Sequence, residues 1–224
     1  MRRLISIPAV LLLAVLCTAV LPLLQITAVL IGLIPGLRGA VPTTAFLVGY
    51  LWCETAGILS AAWITLRHRS KAARFKANFA VQCWWASSLK RLAGWLYQLE
   101  FTIHGREHLQ GGPALVLPRH TSIADTVLPV TYFAKPFNSH LRYVMKRELL
   151  YDPCLDIYGH RLPNFFVDRS GQDSSQAIDG VSELTATLTS TEGVLIYPEG
   201  TRYSPEKHRA LATKPGQSQE LLGQ

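Results

Sequence analysis

The chain has 224 residues, of which 49% are hydrophobic, and a formal net charge of +7. That is room for one ordinary domain plus lipid-facing segments. The positive balance points to anionic partners, namely phospholipid headgroups, phosphorylated substrates or nucleic acid, without choosing among them. Cys17, Cys53, Cys83 and Cys154 lie far apart, with no CxxC pair and no histidine at metal-ligand spacing. Scattered reduced thiols are therefore expected, with no disulfide framework and no zinc or other metal site.

Residues 4–37 carry no charge and are dense in leucine and valine. A spanning helix needs about 20 apolar residues, and a signal peptide has an apolar region of only about 7 to 15. The bulky Leu16 directly before Cys17 argues against a lipoprotein cleavage box. Gly36, Arg38, Gly39 and Pro42 then form a turn, and a second apolar run over residues 43–66 is interrupted only by Glu54. Residues 1–66 are accordingly expected as a transmembrane hairpin of two helices, with Glu54 facing the first helix, water or substrate. A core helix is the other reading of the second run, and Pro8, Pro22 and Pro35 leave a re-entrant path open. Arg2 and Arg3 precede the first run, and Arg67, Arg69, Lys71, Arg74 and Lys76 follow the second, with Arg38 alone between them. This asymmetry predicts that both ends, and the rest of the chain, are cytoplasmic.

Residues 67–100 form a basic, aromatic segment in which Phe75, Phe79, Trp84, Trp85 and Trp95 mix with Lys76, Lys90 and Arg91. A helix lying at the membrane surface and a helix packed on the protein core fit this pattern equally well. From residue 101 to 224 the texture changes to short alternating units. Residues 101–103, 114–117, 142–145, 165–167 and 194–197 read as strands, and residues 175–188 carry apolar side chains at helical spacing. The predicted fold class is α/β, with a mixed, partly parallel sheet flanked by helices.

Chemistry-bearing residues gather at the ends of two predicted strands. The first runs out through Pro118 and Arg119 into His120, followed by Asp125 five positions later. On a regular helix that spacing separates the side chains by about 140°, so they meet only if His120 sits in the turn entering the helix. There Asp125 would fix the tautomer of His120 and leave its other nitrogen as a base. By itself this spacing is common, and helix capping explains much of it. The second strand ends in Pro198, Glu199, Gly200, Thr201 and Arg202. A guanidinium held there by a carboxylate suits bidentate recognition of a phosphate, although a surface salt bridge would use the same residues.

The box from His120 to Asp125, the Pro198 to Arg202 box about eighty residues later and the Phe166-Val167-Asp168-Arg169 stretch between them resemble the HxxxxD glycerolipid acyltransferases of the 1-acylglycerol-3-phosphate acyltransferase type. Lys146, Glu148, Leu149 and Pro153 match the segment before the middle box. The resemblance implies that His120 is the general base and Asp125 its orienting carboxylate. It places the acceptor phosphate at Glu199, Gly200, Thr201 and Arg202, with Arg169 as a second positive contact. The implied reaction moves a fatty acyl group from acyl-CoA or acyl carrier protein to a lysophospholipid such as 1-acylglycerol-3-phosphate, giving phosphatidate, with no cofactor beyond that donor substrate. The implied place is the membrane, by resemblance the bacterial inner membrane, with the acceptor and the membrane lipids as partners and nucleic acid not expected. Two departures stand out. Arg119 occupies a position where the family commonly has Asn, and the chain stops at Gln224, where the family usually continues with another strand, a helix and a proline-containing box. A catalytic domain whose C-terminus is truncated or diverged, with an exposed sheet edge in either case, is therefore expected.

Other classes remain open on these residues. A membrane-bound interaction or regulatory relative without turnover would keep the fold. A nucleic-acid-associated membrane protein rests only on the basic segment after Arg67, and nothing there resembles a base-stacking module. No G-x-S-x-G elbow supports a lipase.

Overall fold

The computed structural model describes residues 2–109, 112–119, 122–167 and 174–198, together with Ser204 and Glu206. The first apolar run forms two helices, α1 (Arg2–Ala19) and α2 (Leu21–Gly32). The break has a covalent cause. Pro22 has no N–H for the carbonyl four residues back and its ring crowds that carbonyl, so the ladder stops even though Val20 N–H reaches Leu16 O at 3.0 Å. A turn through Gly36, whose φ is 89°, leads into α3 (Ala40–Arg67). Both α1 and α2 pack on α3, tied by Trp52 Nε1 donating to Thr18 Oγ1 at 2.8 Å and Gln25 Nε2 to Thr44 Oγ1 at 3.0 Å. Of these helices, α1 and α3 are long and apolar enough to cross a membrane.

A short turn capped by the Ser70 hydroxyl starts α4 (Lys71–Tyr97), which returns antiparallel along α3. The two stay paired to the far end, where Thr43 Oγ1 and Tyr97 OH lie 3.1 Å apart. Gly49 allows the close approach, because a methyl group there would collide with the Leu92 side chain. The packing settles the direction of Glu54, which is fully buried and faces α4 and the later helix α5, not α1. It accepts hydrogen bonds from Trp85 Nε1 at 2.8 Å and from the Cys154 backbone N–H at 3.2 Å. The opposite face of α3 exposes Trp52, Leu59, Trp63 and Leu66, continuous with the exposed leucines of α1 and α2.

Among the described residues the remainder holds a four-stranded sheet. Strands β1 (Ala114–Val116), β2 (His140–Lys146), β3 (Phe165–Val167) and β4 (Glu192–Leu195) lie in the order β1-β4-β2-β3, and every pairing is parallel. Helix α4 covers this sheet through Phe79, Cys83, Ala86 and Leu89, which pack against Leu141, Tyr143 and Leu195. Helices α5 (Pro153–Arg161) and α6 (Ser174–Ala186) lie on the two sides of β3 in the chain. At the N-terminal ends of β2 and β4 the Arg142 guanidinium grips Glu192, with Nη2 to Oε2 at 2.7 Å. All four cysteines are free thiols.

The α/β class holds, with two corrections in detail. Residues 101–103 form no strand; Phe101 and Tyr132 instead cover Lys90, whose Nζ lies 4.8 Å and 4.2 Å from the two ring centroids. Their apolar character serves packing on α4, not a ladder. The strand expected over 194–197 begins two residues earlier, at Glu192, and ends at Leu195. Glu192 is hidden in a charge pair, which sequence patterning reads as a loop.

Candidate active site

Because all four strands run the same way, their C-terminal ends share one edge of the sheet. That edge is where parallel α/β sheets bind ligands. Strand β1 leaves through Leu117, Pro118 and Arg119, and β4 through Ile196, Tyr197 and Pro198, with Ile196 N–H bonded to Val116 O at 3.1 Å. The chain therefore enters the two sequence boxes from neighbouring strands. Strand β3 ends at Val167 two positions from β4, about 10 Å at the usual strand spacing, and three from β1.

Of the residues expected in the site, Asp125 lies within the described structure; His120, Arg169, Glu199, Gly200, Thr201 and Arg202 lie outside the described residues, as does Asp168. Asp125 sits half-buried in a 3₁₀ turn, Ile123–Thr126. Its carboxylate accepts from the Ser122 backbone N–H at 2.5 Å and from Ser122 Oγ at 3.2 Å. The acid of an S-x-x-D sequence thus reaches back to cap the residue opening the turn, while the Asp125 N–H donates to the Ser122 carbonyl at 3.3 Å. Capping therefore holds Asp125 in place, as the spacing alone allowed. A second tie comes from β4, where the Tyr197 hydroxyl donates to the Asp125 carbonyl at 3.2 Å. Burial, and then the charge of Asp125, pushes the Tyr197 phenol up, so it remains a donor at neutral pH. The ends of β1 and β4 are thus joined by a side chain as well as by the ladder.

Along the outer side of β1 runs an open groove of about 670 Å³. Leu115, Leu117, Leu128, Tyr132 and Phe133 line it, and it reaches Asp125 and Arg119 at the C-terminal end of β1. Leu115 and Leu117 are more than half exposed, which leaves β1 as an uncovered edge among the described residues. Beyond the C-terminal ends of β1 and β2, Arg119 and Arg147 are exposed and Lys146 is half-buried. Among the described residues no three His, Cys, Asp or Glu side chains converge as a metal site.

Sequence reasoning missed the groove and the tie through Tyr197. The groove arises where residues 128–133 fold back on β1, a contact with no local signature. The cap was legible, since Ser122 and Asp125 have the S-x-x-D spacing.

A family model for "Acyltransferase" matches residues 100–219. Among curated proteins, the chain is 31% identical over 133 residues to a 1-acyl-sn-glycerol-3-phosphate acyltransferase of Pseudomonas aeruginosa, a match covering 58% of this chain and 48% of that protein. The chain thus spans about half the length of the curated relative it matches. No solved structure matches it. With an acidic residue capped beside an apolar groove on the sheet edge, and a family match over more than half its length, the chain belongs to the acyltransferase family.

Proposed function

We propose that this chain transfers a fatty acyl group from acyl-CoA or acyl carrier protein to the free hydroxyl of 1-acylglycerol-3-phosphate or a related lysophospholipid, yielding phosphatidate. The observation that carries the reading is the meeting of the β1 and β4 ends, where Tyr197 holds the Asp125 turn beside an apolar groove. In this reading His120 takes the proton of the acceptor hydroxyl as that oxygen attacks the thioester carbonyl. Asp125 orients the ring and balances the imidazolium charge. The thioester is already activated, so no acyl-enzyme is required. The C–O bond forms, the C–S bond breaks, and the thiolate leaves with the proton that His120 carries. General-base assistance contributes roughly 10²- to 10⁴-fold, and positioning with oxyanion stabilisation supplies the remainder.

Glu199, Gly200, Thr201 and Arg202 form the acceptor phosphate site in this proposal, with Arg169 as a second cation. The groove along β1 suits an acyl chain, because its lining is mostly apolar, with Asp125 and Arg119 at one end and His108 also among its lining residues. The apolar outer surface of α1, α2 and α3 seats the enzyme in the membrane that supplies acceptor and receives product. Arg2, Arg3, Arg67, Arg69 and Lys71 favour a cytoplasmic catalytic domain, and the membrane in this proposal is a bacterial inner membrane.

The test is direct. Membranes containing the chain receive radiolabelled acyl thioester and lysophosphatidate, in parallel with the His120→Ala variant. Labelled phosphatidate from the parent and a loss of at least about 10²-fold in the variant are expected. Equal product from both proteins refutes the assigned base. Product from neither favours an inactive relative that keeps the fold.

A further inference from the structure

Helix α5 is held to the apolar helices by a series of polar contacts that the proposed chemistry does not use. On α3 the contacting residues are Tyr50, Glu54, Gly57, Ala61 and Thr65, whose spacing of three and four places them on one helical stripe. Tyr50 OH donates to the carboxylate of Asp152, the residue that caps α5 by accepting from Leu155 N–H at 2.8 Å. Glu54 accepts from the Cys154 N–H, Tyr158 OH donates to Gly57 O at 2.8 Å, and Arg161 donates to Ala61 O and Thr65 Oγ1, each at 2.9 Å. Gly57 lets the helices touch, since a methyl group there would collide with Cys154 Sγ. From α1, Arg3 Nε donates to Asp156 Oδ2 at 2.6 Å and Arg3 Nη2 to Asp156 O at 3.1 Å. On its other side α5 is fixed to the sheet. His160 stacks on Phe166 of β3 with ring centroids 5.0 Å apart, and Asn164 links Gly159 O to the backbone N–H of Tyr143 on β2.

Apolar burial alone would hold such helices together without fixing their register. Directional bonds at five places along one stripe fix both register and angle, because a slip of one residue breaks all of them at once. The sheet and the apolar surface of α1, α2 and α3 are thereby set at one distance and tilt. We infer that α5 is the mount through which the apolar helices set the chemical edge of the sheet relative to the lipid surface, with Arg3 and Asp156 as positioning residues for a membrane-borne acceptor. This inference rests on the proposed acyl transfer for its kinetic consequence, and on packing alone for its structural one.

The test uses the full chain in lipid vesicles with Arg3→Gln and the conservative Arg3→Lys. Activity is read on two acceptors, a long-chain lysophosphatidate carried in the vesicle and a short-chain lysophosphatidate dissolved as monomer. In the same samples the rate at which a water-soluble maleimide modifies Cys154 is read by peptide mass. Cys154 is 4% exposed in the seam between α3 and α5, so its modification reports opening of that seam. Arg3→Gln should lower turnover of the vesicle-borne acceptor about fivefold, the size expected of a half-exposed ion pair with one buried member. The monomeric acceptor should be turned over as by the parent, Cys154 should be modified faster, and Arg3→Lys should restore both readouts. An equal fall on both acceptors, or unchanged turnover and unchanged modification, overturns the inference. If the parent turns over neither acceptor, the proposed acyl transfer fails. The modification rate then decides the mount by itself, and no change in Arg3→Gln overturns it.

Discussion

Replacing Arg142 by methionine removes the only charge facing Glu192 within hydrogen-bond distance among the described residues, in a place where both residues are buried. The guanidinium donates to Glu192 Oε1 and Oε2 at 3.3 Å and 2.7 Å, to Leu184 O at 2.9 Å, and to Thr187 Oγ1 and O at 2.6 Å and 2.8 Å. It thus ties β2 to β4 and satisfies carbonyls in the last turn of α6 and just beyond it. Burial pushes the Glu192 carboxyl up, but the hydrogen bonds from Arg142 and Thr189 outweigh it and hold the group below the usual carboxylate range. Methionine fills similar length but leaves Glu192 with the bonds from Thr189 alone, at 3.1 Å and 3.0 Å. Breaking a buried pair costs about 3–5 kcal/mol, out of a total of roughly 5–15 kcal/mol. At about 2–4 °C per kcal/mol for a chain of this size, Tm should fall by roughly 6–20 °C. Thermal unfolding of detergent-purified protein, followed by circular dichroism, measures it. The double variant Arg142→Met with Glu192→Leu should recover most of the loss, since removing both charges leaves nothing unpaired. A single variant that loses less than about 1 kcal/mol, or a double variant no better than the single, refutes the reasoning.

Three further outcomes are expected. His140 is 3% exposed, wedged between Phe75 and Phe79 and facing Glu192 and Arg142, and burial lowers its pKa from 6.5 to about 4. The unfolded chain then binds the extra proton first as pH falls from 6.5 to 4, so stability should drop by about 3 kcal/mol over that window, and His140→Leu should flatten that part of a plot of Tm against pH. Glu54→Leu strands the Trp85 indole N–H and the Cys154 N–H in the interior and should cost about 2–5 kcal/mol by denaturant unfolding, whereas Glu54→Gln keeps an acceptor for one of them and should cost less than half as much. Tyr197→Phe keeps the ring but loses the bond to the Asp125 carbonyl; a loss of about 1 kcal/mol should appear as a severalfold fall in kcat with KM for the acyl donor unchanged, and an unaltered kcat would remove Tyr197 from the positioning of that turn.

The α/β class and the apolar, helical character of the N-terminal runs were legible because each rests on local periodicity or turn chemistry, although the first run forms two helices where one was expected. The break at Pro22 was foreshadowed by the proline itself. What could not be read was tertiary. Residues 101–103 alternate like a strand, yet Phe101 is taken up by Lys90. Glu192 looks like a loop residue until Arg142 is placed opposite it, fifty positions away. Asp152, Cys154 and Asp156 look like an ordinary helix start, and only the packing shows that their partners lie in the apolar helices a hundred or more residues earlier. Asp125 illustrates both sides, since its cap was visible in the spacing while its tie to Tyr197 needed the fold.

The strands also keep two kinds of residue at opposite poles. The ion pair of Arg142 and Glu192, with His140 beside it, occupies the starting ends of β2 and β4, while Asp125, Arg119 and Tyr197 gather where strands finish. Substitutions at the starting pole should therefore change how long the protein survives heat or acid and leave the turnover of surviving molecules intact. Those at the finishing pole should do the reverse, so thermal tolerance and substrate choice can be altered separately in the same molecule.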